Sequence, residues 1–144
     1  MNSKRGEFNL SFGMIFSIIL IIMFLAFGFY GIKALLNMQK QAQLKLFIND
    51  FSDNVAELWQ SREVNDWERE YTVPANIENI CFEKGEFNLR INFKEDPSVS
   101  EKIEHLNTAK ILEQENPFCI NRVNGKIYMI LSLEEGEDLV VVKK

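Results

Sequence analysis

Histidine occurs once in this chain, at His105, and cysteine twice, at Cys81 and Cys119. No cysteine or second histidine lies near His105, so no zinc-ligand rhythm is present, and Cys81 and Cys119 stand too far apart to supply one. A lone histidine also has no partners for a nucleophilic triad. Glycine-rich phosphate loops and nucleophile motifs are missing. The carboxylates are scattered, as on a solvated face. The sequence therefore gives no reason to expect an enzyme, a metal or a cofactor. Basic residues are in the minority, 16 against 21 acidic, for a net charge of −5. Setting aside Lys4, Arg5, Lys33 and Glu7 leaves the remainder at about −7, which argues against nucleic acid and against a polybasic lipid-binding patch. Internal repeats and low-complexity segments are also missing.

The longest absence is of charge: no charged side chain stands between Phe8 and Ile32. Asn9, Ser11, Ser17 and Tyr30 alone break the apolar chemistry, and Phe12 to Ile32 is mostly Ile, Phe, Leu and Met. As a helix this stretch is roughly 30 Å long, about the thickness of a bilayer's hydrocarbon core. A helix apolar on every side for that length is expected to span a membrane. Lys4 and Arg5 precede it within a short basic leader (1–11), whereas Lys33, Lys40 and Lys45 follow it. With the cations nearest the first apolar residue dominant, the N-terminus is expected in the cytoplasm and the rest outside. Gly13 and Ser17 form a small-xxx-small pair suited to close helix contact.

From Lys33 to Gln60 neither Pro nor Gly occurs. Leu44, Ile48, Phe51, Val55 and Leu58 recur at spacings of four, three, four and three, a single apolar stripe on a helix. Lys45, Asn49, Asp50, Asp53, Asn54 and Glu57 make the wet side. The helix is thus expected to continue through 33–60, with a stripe that needs a surface to cover it. Segment 61–76 is charged around Trp67 and reads as a connector.

The remainder, 77–144, carries strand signals. Ile80 and Phe82 precede the turn Glu83-Lys84-Gly85-Glu86, and Phe87, Leu89, Ile91 and Phe93 then alternate with polar residues, predicting a hairpin. Ser98 and Glu101 have capping-box spacing, which predicts a short helix near 98–112 with His105 on its surface and Ile103 and Leu106 facing the core. Phe118–Val123 and Lys126–Leu133 flank Asn124-Gly125, a two-residue hairpin turn. Leu139–Val142 is a last strand. The fold class expected is α+β: a long N-terminal helix packed on one antiparallel sheet of about four or five strands. In an outer head, Cys81 and Cys119 are free to form a disulfide, and a pair of buried thiols is the alternative.

A basic leader ending in Lys4-Arg5-Gly6, an apolar segment, its amphipathic continuation and a small sheet head together resemble the type IV pilin-like family. The likeness is greatest to the small archaeal members with a class III signal peptide. The resemblance implies cleavage by a prepilin peptidase between Gly6 and Glu7, with the apolar segment retained. It also implies assembly with further copies or other pilin-like subunits. Ser11 stands where bacterial pilins carry a glutamate, at the fifth position after the cut. Two other readings of the leader remain. Lys4 and Arg5 serve topology alone, with Glu7 placed favourably at a helix N-terminus. Alternatively, Ala26-Phe27-Gly28 mimics a conventional signal-peptide site. The competing function is a single-pass anchored binding or accessory protein of a membrane complex that never assembles.

Overall fold

The computed structural model describes residues 12–144, and the structural statements below concern those. The first element, α1, is one helix of 50 residues, Phe12–Ser61. The chain divides into two units, one through Gln39 and one of Lys40–Lys144. In the first unit every described residue is exposed, including Phe24 at 74% and Tyr30 at 77%. Leu, Ile, Phe and Met surround this part of α1 on all sides. Water is a poor solvent for such a surface, and its length and composition are compatible with a membrane anchor.

In the second unit the rest of α1 is amphipathic. It is followed by β1 (Asp66–Thr72), β2 (Ile77–Phe82), β3 (Leu89–Phe93), β4 (Val99–Glu101), α2 (Thr108–Gln114), β5 (Phe118–Asn121), β6 (Lys126–Ser132) and β7 (Val141–Lys143). The strands form two antiparallel sheets: β1-β6-β7, and β4-β3-β2-β5. The class is α+β, as expected, but with two small sheets in place of one.

Three local readings need correction. The connector 61–76 contains β1, whose seven residues pair in unbroken register with β6 from Asp66↔Ser132 to Thr72↔Lys126. The helix expected near 98–112 begins later. Val99–Glu101 is a strand paired with β3, and the Ser98 hydroxyl accepts from Arg90 Nε at 3.2 Å instead of capping a helix. The cap is Asn107, whose side chain accepts from Lys110 N at 3.1 Å. His105 sits in the turn before α2, in the left-handed region at φ 63°.

The Asn124-Gly125 turn forms as expected, with φ of 51° and 83° at its two residues, a conformation that Asn and Gly adopt most readily. Beyond the single bridge Val123↔Lys126 its two arms part. β5 joins β2 in one sheet and β6 joins β1 in the other.

The core lies where the inner faces of both sheets meet α1. It holds Phe47, Phe51, Val55 and Leu58 from α1, Ile80 and Phe82 from β2, and Leu89 and Ile91 from β3. Phe118 and Ile120 join from β5, and Ile127, Met129 and Leu131 from β6. Phe51 is the aromatic hub: its ring lies 6.2 Å from Phe47, 5.8 Å from Tyr71 and 6.0 Å from Phe82. The Tyr71 contact is edge-on, a favoured arrangement of ring quadrupoles.

Candidate functional site

Lys4, Arg5, Gly6 and Glu7, the expected processing residues, lie outside the described residues. Of the helix-packing residues, Gly13 and Ser17 are joined within their own helix: Ser17 Oγ donates to the Gly13 carbonyl at 2.8 Å. This back-bond satisfies the hydroxyl in an apolar stretch without a second helix. Phe51, Val55 and Leu58 are fully buried, and Leu44 and Ile48 are half-buried against the same core. The stripe that the spacing marked is therefore the surface α1 gives to the sheets. Phe47 belongs to it as well, 2% exposed and 5.6 Å from the Tyr71 ring. Its signal was available in the spacing of four to Phe51.

Cys81 and Cys119 face each other directly across β2 and β5, with Cα atoms 4.0 Å apart, and are joined as a disulfide. They lie on the face of their sheet turned from the core. Asn79 and Asn92 flank them, Asn92 Nδ2 donating a hydrogen bond to Asn79 Oδ1 at 2.7 Å and lying 3.4 Å from Cys81 Sγ. The bridge ties the edge strand β5 to β2.

Other side chains were not legible as structural posts. Asn88 is 8% exposed, and its amide bonds both backbone groups of Ile103. It donates from Nδ2 to the carbonyl and accepts the N–H at Oδ1, each at 2.8 Å. This side chain extends the sheet one step past Leu89↔Glu101, where the β3–β4 ladder ends. Trp59 stacks on His105 with centroids 3.8 Å apart and planes at 11°, and Arg62 reaches over the same indole at 5.4 Å. Arg62 also pairs with Asp138 at 2.8 Å, so this aromatic and cationic group fastens the end of α1 to the loops before α2 and β7.

Burial pushes the Tyr71 phenol up to about 12, partly offset by the amide of Asn54, which donates to the phenol oxygen at 3.2 Å. Around the turn after β6, Lys110 bonds Glu134 at 2.6 Å and Glu137 at 3.0 Å, and Lys143 reaches Glu134 at 3.2 Å. The bond from Lys110 holds the Glu134 carboxyl below its ordinary range, and those to Glu134 and Glu137 raise Lys110. This half-buried network clamps α2 to the β6–β7 turn. Among the described residues no three His, Cys, Asp or Glu side chains converge as a metal site.

The arrangement thus offers an apolar helical surface and a disulfide-stapled head. Comparison with family models, with curated proteins and with solved structures finds no match to this chain.

Proposed function

We propose that this chain is a pilin-like structural subunit, processed by a prepilin peptidase between Gly6 and Glu7. Its apolar helix sits in the cell membrane and then assembles with other copies or related subunits, while the head is displayed outside. One observation carries the reading: α1 is a single helix whose first part is apolar all round with every side chain exposed, while its later turns bury one stripe on a small two-sheet head. An anchor alone needs only the membrane-spanning stretch. A continuation of the same helix, seated in the head by Phe47, Phe51, Val55 and Leu58, gives an assembling helix a hold on its cargo. The disulfide Cys81–Cys119 suits an extracytoplasmic head.

Mechanical shearing of cells tests assembly. A filament subunit is released into the supernatant in high-molecular-mass material. A single-pass anchored accessory protein stays entirely in the membrane fraction, and that result would overturn the proposal.

A further inference from the structure

The edge of the three-stranded sheet is unusually open. β1 lies at the end of the order β1-β6-β7, and among the described residues no other element's backbone comes alongside it. Two bonds fix which way its backbone groups point. Leu133 N donates to Asn65 O, and Val73 N donates to Gly125 O at 3.1 Å, continuing the β1–β6 register at both ends. Antiparallel pairs alternate between bonded and non-bonded, so Trp67, Arg69 and Tyr71 turn their N–H and C=O groups to β6. Asp66, Glu68, Glu70 and Thr72 turn theirs outward. Of these, the Asp66 N–H is taken by the Asn65 side chain at 2.9 Å. The N–H and C=O groups of Glu68, Glu70 and Thr72 have no backbone partner among the described residues, and all three residues are exposed.

Of the usual devices that blunt such an edge, only charged side chains are present, Arg69 on the inward side among them. β1 has no Pro, no Gly and no bulge. What it has is negative charge. Glu68 has no cation partner among the described residues, Glu70 is shared with Lys126 at 2.7 Å, and Asp66 lies 4.0 Å from Lys143. One hollow lies over the outer face of the sheet, from β1 across β6 to Lys144, and a second lies between α1 and β1. On the outer face Glu68, Glu70, Tyr128, Ile130 and Lys144 line about 440 Å³. On the other side Leu46, Phe47, Asp50 and Thr72 line about 330 Å³, where Leu46 is 60% exposed.

We propose that the outward edge of β1 accepts an added β-strand from a partner polypeptide, an extended segment in which Lys or Arg alternates with apolar side chains. An added strand sends successive side chains to opposite faces. Its cations meet Glu68 and Glu70 on one side, and its apolar residues cover Leu46 on the other. Main-chain bonds to Glu68, Glu70 and Thr72 supply the attachment, and the carboxylates supply the selectivity. A second copy's β1 is disfavoured, because antiparallel pairing of the two edges sets Glu68 and Glu70 against their counterparts. This inference stands whether or not the subunit assembles into filaments.

Hydrogen exchange of the full chain in nonionic detergent, read by mass spectrometry on the fragment spanning β1, tests it. The probe is a blocked peptide of alternating lysine and valine, as long as β1. It is expected to slow the Glu68, Glu70 and Thr72 amides by about tenfold or more, while a glutamate–valine peptide of equal length leaves them unchanged. Glu68→Pro removes an outward donor without touching the β6 ladder and is expected to abolish protection. Glu68→Lys, which keeps the backbone intact, is expected to weaken it in the same direction. No protection by the basic peptide, equal protection by the acidic one, or protection that grows with protein concentration alone would each overturn the proposal.

Discussion

Replacing Phe51 by alanine probes the seat of α1 on the head. The Phe51 ring is 0% exposed and meets three aromatic rings, those of Phe47, Tyr71 and Phe82, at centroid distances of 6.2, 5.8 and 6.0 Å. Truncation loses both its burial and those contacts, and it leaves a void that helix and sheets cannot easily close. Buried phenylalanine-to-alanine changes cost about 3–5 kcal/mol. Set against a total stability of about 5–15 kcal/mol for a small domain, this is a large fraction. Leu46→Ala is the matched control, because Leu46 is on the same helix but 60% exposed. Its expected cost is within about 0.5 kcal/mol. Both tryptophans, Trp59 and Trp67, belong to the unit Lys40–Lys144, so urea titration of the full chain in nonionic detergent, followed by fluorescence, reports on the head. With a urea slope of about 1–3 kcal/mol/M, Phe51→Ala should lower the midpoint by about 1–5 M while Leu46→Ala barely moves it. Equal midpoints for the two variants would refute the assignment of Phe51 to the buried stripe.

Three further outcomes are expected. Asn88→Ala leaves both backbone groups of Ile103 unpaired in a buried position and should cost about 2–3 kcal/mol in the same titration. The Tyr71 phenol is raised from 10.0 to about 12, so the folded head holds its proton more tightly than the unfolded chain does. That contribution is intact below pH 10 and is lost as pH rises toward 12. Tyr71→Phe should therefore remove about 2 kcal/mol of the alkaline loss of stability, measured as the difference between midpoints at pH 9 and pH 11.5. Cys81 and Cys119 should resist an impermeant maleimide on intact cells until a reductant is added; labelling without reduction would contradict the bridge, and no labelling after reduction would contradict an outer head.

Much of the helix was legible because its signals are periodic and local. Leu44 to Leu58 repeat with the helical period, and the charge-free run from Phe8 to Ile32 is long enough and apolar enough for a membrane-spanning helix. The strand β1 was not legible. Its sequence Asp-Trp-Glu-Arg-Glu-Tyr-Thr belongs to an edge strand with one wet face, and Arg69 even occupies the inward side, so only Trp67 and Tyr71 carry the alternation. The Asn124-Gly125 turn shows the boundary between local and distant information. The two residues set the reversal, but whether the arms pair depends on what else is available. Here β2 and β1 each take one arm. Ser98 and Glu101 matched a capping pattern, yet Val99 sits opposite Ile91 in a ladder that outweighs a short helix. Asn88 carried no signal at all, because its value lies in reaching Ile103, 15 residues away.

The mature N-terminal residue tests the central claim most directly. Intact-mass analysis of the protein purified from its native membrane or filament fraction is expected to give a chain that begins at Glu7 and keeps the whole apolar segment. A chain that begins at Met1 or Asn2 would contradict the pilin-like reading, and one that begins beyond Gly28 would replace it with an ordinary secreted head.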